Sequence, residues 1–257
     1  MRSLWSGLSV TSLLILLSGC TGSDTDTGTS TTTNQSAVGI WSGTDSVTGL
    51  AVTAIVNSSG ESSFLRSDGV QFAGTAQVSG SSLAVAVDGY SNFTTTFSDG
   101  TTTGVGTISG TVTTATTMTA ALSFTTSGGT AITGTWTLSY NALSTLASSL
   151  AAVSSNYTDG VTGATVSIDG LGDVNSQDPT TGCILNGTIS TSDTAYDVYQ
   201  LNFTYKSCTG NYAVLNDVAL TGLAVLNSSV SPQQLVIAVT GQSSGGSYGI
   251  ISYLNAT

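Results

Sequence analysis

From residue 37 onward, apolar and polar side chains alternate with a period of two. Met118, Ala120, Leu122 and Phe124 share one face while Thr119, Ala121, Ser123 and Thr125 share the other, the pattern of a strand buried on one side. The next segment repeats it, with Ile132, Gly134, Trp136, Leu138 and Tyr140 inward and Thr133, Thr135, Thr137 and Ser139 outward. Joined through Ser127-Gly128-Gly129, the two predict a hairpin. Val70, Phe72, Ala76 and Val78, then Leu83, Val85 and Val87, continue the alternation on either side of Gly80-Ser81. Turn signals recur at Ser59-Gly60, Asp68-Gly69, Asp88-Gly89, Asp99-Gly100 and Gly128-Gly129, the spacing of a meander that closes into a barrel or sandwich. Further strands are expected over 162–169, 183–190, 195–206, 214–227, 233–242 and 247–254. Tyr199, Leu201, Phe203 and Tyr205 make one aromatic face.

The rhythm breaks at 141–153. Leu143, Leu146, Ala147 and Leu150 recur there at helical spacing without Gly or Pro, so a single helix is expected. It lies midway between two β-rich stretches of similar length, 37–140 and 154–257, which places a domain boundary on it. The expected fold class is therefore all-β: two tandem antiparallel barrel-like or sandwich-like modules joined by one short helix. One continuous barrel with a helical insertion is the alternative.

The N-terminus carries a different signal. Arg2 precedes an apolar run from Leu8 to Leu17, about half the length a membrane-spanning helix requires, so 1–19 reads as a cleavable leader. It ends in Leu17-Ser18-Gly19-Cys20, which resembles the lipobox of bacterial lipoproteins. The resemblance implies that Cys20 becomes the first mature residue and is lipidated, with palmitate-type acyl chains; more than one chain anchors stably. Thr21 in place of the Asp that retains such proteins at the inner membrane implies the outer membrane, on its periplasmic face or at the cell surface. Residues 20–36 hold almost no apolar side chains and read as a flexible Thr/Ser/Gly tether, about 22 Å in root-mean-square span.

Composition narrows the chemistry. Lys plus Arg is 3 against 14 Asp plus Glu, a formal charge of −11, so no basic surface exists for nucleic acid. With no His and a single Glu, most acid–base and metal chemistry is missing, and neither a cofactor nor a metal is expected. Asp26-Thr27-Gly28-Thr29-Ser30 reproduces an aspartic-protease signature, but no apolar strand precedes it and no second copy occurs. The oxygen-rich run 169–178 fails the EF-hand pattern, with Asp178 where Gly should stand and Ile184 where the bidentate Glu should stand; an irregular calcium loop is the remaining option. The Asn-X-Ser/Thr sequons at Asn57, Asn92, Asn156, Asn186, Asn202 and Asn227 follow from the abundance of Ser and Thr.

Cys183 and Cys208 fall at the outer ends of a predicted hairpin in an exported chain, and a disulfide is expected between them. A turn centred on Asp193 would set Cys183 opposite residue 203, so the pair needs a bulge or a longer loop. A free thiol is the alternative. The opening Val38-Gly39-Ile40-Trp41-Ser42-Gly43-Thr44, with Gly182-Cys183-Ile184-Leu185-Asn186-Gly187-Thr188-Ile189, Tyr196, Tyr199 and Cys208, is similar to uncharacterised two-module envelope lipoproteins of Gram-negative bacteria. That resemblance implies a fold and a location and no substrate; Leu185 stands where an aromatic is expected. A resemblance to surface lipoproteins with small C-terminal barrels, such as those that bind transferrin or complement regulators, rests on architecture alone.

Two function classes follow. One is a non-enzymatic envelope module that binds a protein or glycan partner or serves structurally. The other is a lipocalin-like barrel holding a small ligand at its mouth, with Tyr199, Tyr205, Tyr248 and Tyr253 as apolar walls. A hydrolase built on Asp169 and Asp173 would need both in one cleft. The anchor is read directly by mass spectrometry of the mature N-terminus: a lipid-modified Cys20 is expected, and an unmodified terminus at Thr21 or later contradicts it.

Overall fold

The computed structural model describes residues 33–257 apart from Thr94, Thr114, Ala115 and Val161. The leader, Cys20 and the Asp26 motif lie outside the described residues.

Eight strands form the first barrel: β1 (Gly39–Asp45), β2 (Ala51–Val56), β3 (Glu61–Arg66), β4 (Val70–Ser79), β5 (Ser82–Ser91), β6 (Thr103–Thr113), β7 (Thr117–Thr126) and β8 (Ala131–Tyr140). Each pairs antiparallel with the next, and β8 returns to β1 to close the sheet. Eight more close a second barrel: β9 (Ser155–Asp159), β10 (Thr165–Ile168), β11 (Asp173–Gln177), β12 (Ile184–Thr191), β13 (Tyr199–Lys206), β14 (Ala219–Asn227), β15 (Gln234–Ser243) and β16 (Gly246–Ala256), the last pairing with β9. Closure leaves neither sheet a free edge. The expected all-β fold of two tandem modules is what the chain adopts.

Alternation decides which side chains enter each barrel. Met118, Ala120, Leu122 and Phe124 of β7 are buried, as are Trp136 and Leu138 of β8, while the intervening Thr and Ser face out. Aromatic rings fill the first interior: Phe72 lies 5.2 Å from Phe124 and 5.9 Å from Trp136, and Phe64 lies 5.6 Å from Trp136. The expected turn at Asp88-Gly89 is corrected by this packing, because both residues lie inside β5. A Cβ on Gly89 would come within 2.2 Å of Phe124 Cε2. Glycine stands there so that a ring can cross the strand.

The expected helix over 141–153 is two short pieces, a 3₁₀ turn at Ala142–Thr145 and α1 (Leu150–Val153). Side-chain caps start each one, from Asn141 and Ser149, and the pieces serve different barrels. Ser144 Oγ accepts from Ile40 N and donates to Ile40 O on β1, whereas Leu150 and Val153 pack into the second interior. Leu146, counted in the apolar stripe, is 44% exposed. A further 3₁₀ turn, Gly210–Leu215, occupies the start of the strand expected from 214, so β14 begins later. The tail of the expected tether is also engaged: Gln35 N donates to Gly80 O, and Gly80 N to Asn34 Oδ1.

The barrels lie side by side through outward-facing apolar residues. Ile40, Ile55 and Leu65 of β1–β3 cluster with Leu223, Val225, Val236, Ala238 and Ile251 of β14–β16. Asn57 Nδ2 donates to Gln200 Oε1 (3.3 Å) and Gln200 Nε2 to Glu61 Oε1 (3.4 Å), tying polar groups across the seam.

Candidate ligand-binding chamber

The two interiors differ. Both described tryptophans, with Phe64, Phe72, Phe97 and Phe124, plug the first. In the second, inward positions carry mostly Val, Ile and Leu, and a cavity of about 160 Å³ remains at one end. Val166, Ile168, Val174, Leu201, Ile237 and Leu254 make its apolar wall. The opposite end is shut: Val153 and Leu150 of α1 pack there, Tyr157 Oη donates to Val153 O (3.0 Å), and Ser149 N donates to Tyr199 Oη (3.2 Å).

The rim is polar and aromatic. Asp159, Ser176, Asp178, Tyr205, Tyr212 and Ser252 stand around it. Asp178, buried in a tight turn, accepts from Thr180 N (2.8 Å) and Thr181 Oγ1 (2.7 Å). Burial raises its pKa, but these hydrogen bonds outweigh that and hold it below the ordinary carboxylate range. Asp159 accepts from Thr162 N (2.7 Å), Thr162 Oγ1 (3.1 Å) and Ser252 Oγ. Both carboxylates act on Tyr205, whose hydroxyl has no hydrogen-bond partner among the described residues. Its pKa is raised by burial first and then by the charges of Asp159 and Asp178.

The first barrel completes the roof. Its β5–β6 loop carries Asn92 and Phe93 onto the rim. Asn92 Oδ1 accepts from Ile251 N (3.2 Å) and Nδ2 donates to Ile251 O (3.5 Å), a side-chain clamp on β16. The Phe93 ring lies 5.3 Å from Tyr212 and 6.1 Å from Tyr248. Tyr212 belongs to the segment after β13, which the Cys183–Cys208 disulfide fastens to the start of β12 with a Cα separation of 4.0 Å. The register that troubled this pairing is resolved by a long loop. Residues 192–198 separate β12 from β13, Ile184 pairs with Lys206, and Ser207 at φ 59° turns the chain so that Cys208 crosses to Cys183.

Other expected sites do not assemble. Asp169 is exposed on the β10–β11 turn and Asp173 is exposed at the start of β11; Asp169 Oδ1 accepts from Leu171 N (2.8 Å) and Asp173 N (2.9 Å), and neither carboxylate lines the chamber. Within the supposed calcium loop, Asp173–Gln177 is strand β11, and no group of three or more metal-ligating side chains occurs among the described residues. Of the four tyrosines proposed as walls, Tyr205 lines the chamber, Tyr248 supports Phe93, and Tyr199 closes the far end. Tyr253 points outward at 44% exposure, because it sits one residue out of phase with inward-facing Ser252 and Leu254. A wider cleft of about 800 Å³ between the barrels is open to solvent and lined chiefly by Thr, Gly and short polar groups.

At the closed end, Asp197 is 3% exposed and its Oδ2 has no hydrogen-bond partner among the described residues. Burial pushes its carboxyl up to about 7, and interactions with the Tyr199 hydroxyl and the Leu226 backbone offset only part of this. The folded protein then holds a proton that the unfolded chain, near 3.8, has released. That contribution is full below about pH 4 and is lost as pH rises to about 7. Asp45 and Asp178, whose pKa values are lowered, act in the opposite sense and only on the acid side of about 4. Urea unfolding should therefore show stability falling between pH 5 and 7, by at most about 1.4 kcal/mol per pH unit. Asp197→Asn should flatten that slope; an unchanged slope in the variant contradicts the assignment. Comparison with family models, curated proteins and solved structures finds no match to this chain, so its function is argued from this geometry.

Proposed function

We propose that the chain is a membrane-tethered, non-enzymatic binding protein in which the second barrel holds a small, largely apolar ligand and the first barrel buttresses its mouth. The observation that carries this reading is the contrast between a filled and a hollow barrel built from the same number of strands. At about 24 cal/mol per Å³, an unfilled volume of 160 Å³ forgoes roughly 4 kcal/mol of packing, a loss the neighbouring barrel avoids with Trp and Phe. Support against catalysis comes from the rim, where the hydrogen bonds of Asp178 hold its carboxyl below the ordinary range, so that it is a poor general acid. The leader, the lipobox and the tether supply the reading of location: a lipid on Cys20 at the outer membrane, with the barrels projecting from it. Binding of a protein or glycan partner, the first function class read from the sequence, draws on no cavity and stands here as the second reading.

Apolar cavities of this volume bind benzene. Titration calorimetry with benzene should give saturable binding at one site. Val174→Phe, which places a ring in the chamber, should abolish it, and Ile237→Ala, which enlarges the same wall, should retain it. Absence of binding to the unaltered protein, or binding that Val174→Phe leaves intact, overturns the proposal.

A further inference from the structure

The chamber has an apolar floor, but its rim has one sign of charge. Asp159 and Asp178 stand there as hydrogen-bonded carboxylates, and no Lys, Arg or His is among the described residues that line the cavity. Near enough to feel both charges, the Tyr205 hydroxyl lacks a hydrogen-bond partner among the described residues while its ring lies 5.6 Å from Phe203. Phe93 and Tyr212, 5.3 Å apart, add two more ring faces to the same opening. Carboxylates combined with aromatic faces form the environment that recognises an ammonium ion, through charge and through the ring quadrupoles. The formal charge of −11 favours approach of cations from solvent.

Building on the small-ligand reading above, we infer that the ligand is a short organic ammonium ion. Its hydrocarbon part, about the bulk of a benzene ring, enters between Val174, Leu201 and Ile237. Its cationic head stays at the rim, facing Asp159 and Asp178 and accepted by the Tyr205 hydroxyl oxygen. An anionic head would meet two like charges and is excluded from the same position.

The test uses three probes of equal chain length on the full mature protein: hexylammonium, hexanol and hexanoate. Hexylammonium is expected to bind at least about tenfold more tightly than hexanol, with hexanoate the weakest. In Asp159→Asn and Asp178→Asn the ammonium-to-alcohol preference should fall about tenfold, and hexanol binding in the same variants reports that the chamber is still formed. Equal binding of hexylammonium and hexanol overturns the ammonium assignment and leaves the apolar chamber standing. Absence of binding by all three overturns both. Tighter binding of hexanoate, or a preference that survives both substitutions, overturns the roles given to the two aspartates.

Discussion

An eight-stranded barrel encloses a space just wide enough for side chains to fill or for one small ligand to occupy. Every inward position is therefore a choice between packing and vacancy. In the first barrel Trp41, Trp136, Phe72 and Phe124 take up that space so fully that glycines such as Gly89 must give way to the rings. In the second, the aromatic side chains gather at the two ends, with Tyr157 and Tyr199 at the floor and Phe203 and Tyr205 toward the mouth. Branched aliphatic residues line the middle, and a cavity of about 160 Å³ is the outcome.

The chamber belongs to both barrels. Leu65, Leu223 and Val236 hold them together through an apolar seam, and that seam fixes where the β5–β6 loop emerges. Asn92 then reads the backbone of Ile251 as a strand would, which sets Phe93 over the opening. On the other side Cys183–Cys208 closes the base of the segment that carries Tyr212. A covalent link and a domain contact thus converge on one pair of rings, Phe93 and Tyr212. A preorganised rim of this kind loses less entropy on binding than mobile loops would.

Much of this architecture was legible in the sequence because period-two alternation is a direct record of which face is buried. The β7–β8 hairpin and the two-module division could be read that way, whereas the Cys183–Cys208 pairing followed from export and from the placement of both cysteines at the ends of a hairpin. A glycine signals both a turn and a close approach, and at Gly89 only the position of Phe124 separates the two. The 141–153 helix failed because helical spacing of Leu does not reveal that Ser144 and Val153 answer to different barrels. Asp159 and Asp178 leave a trace in the alternation: each extends an inward-facing series, after Tyr157 and after Val174 and Ser176, so that a charge stands where an apolar residue is the rule. Phe93 left none. Its role depends on packing between barrels, which no local pattern encodes.

The central claim is that one barrel is solid and the other hollow, and diffraction from crystals of the protein pressurised with xenon measures this directly. Xenon enters dry apolar cavities and is located by its electron density. The account predicts a xenon site inside the second barrel, bordered by Val174, Leu201 and Ile237, and none among Trp41, Phe72 and Trp136 of the first. A second barrel without xenon, or xenon seated within the first, would contradict it.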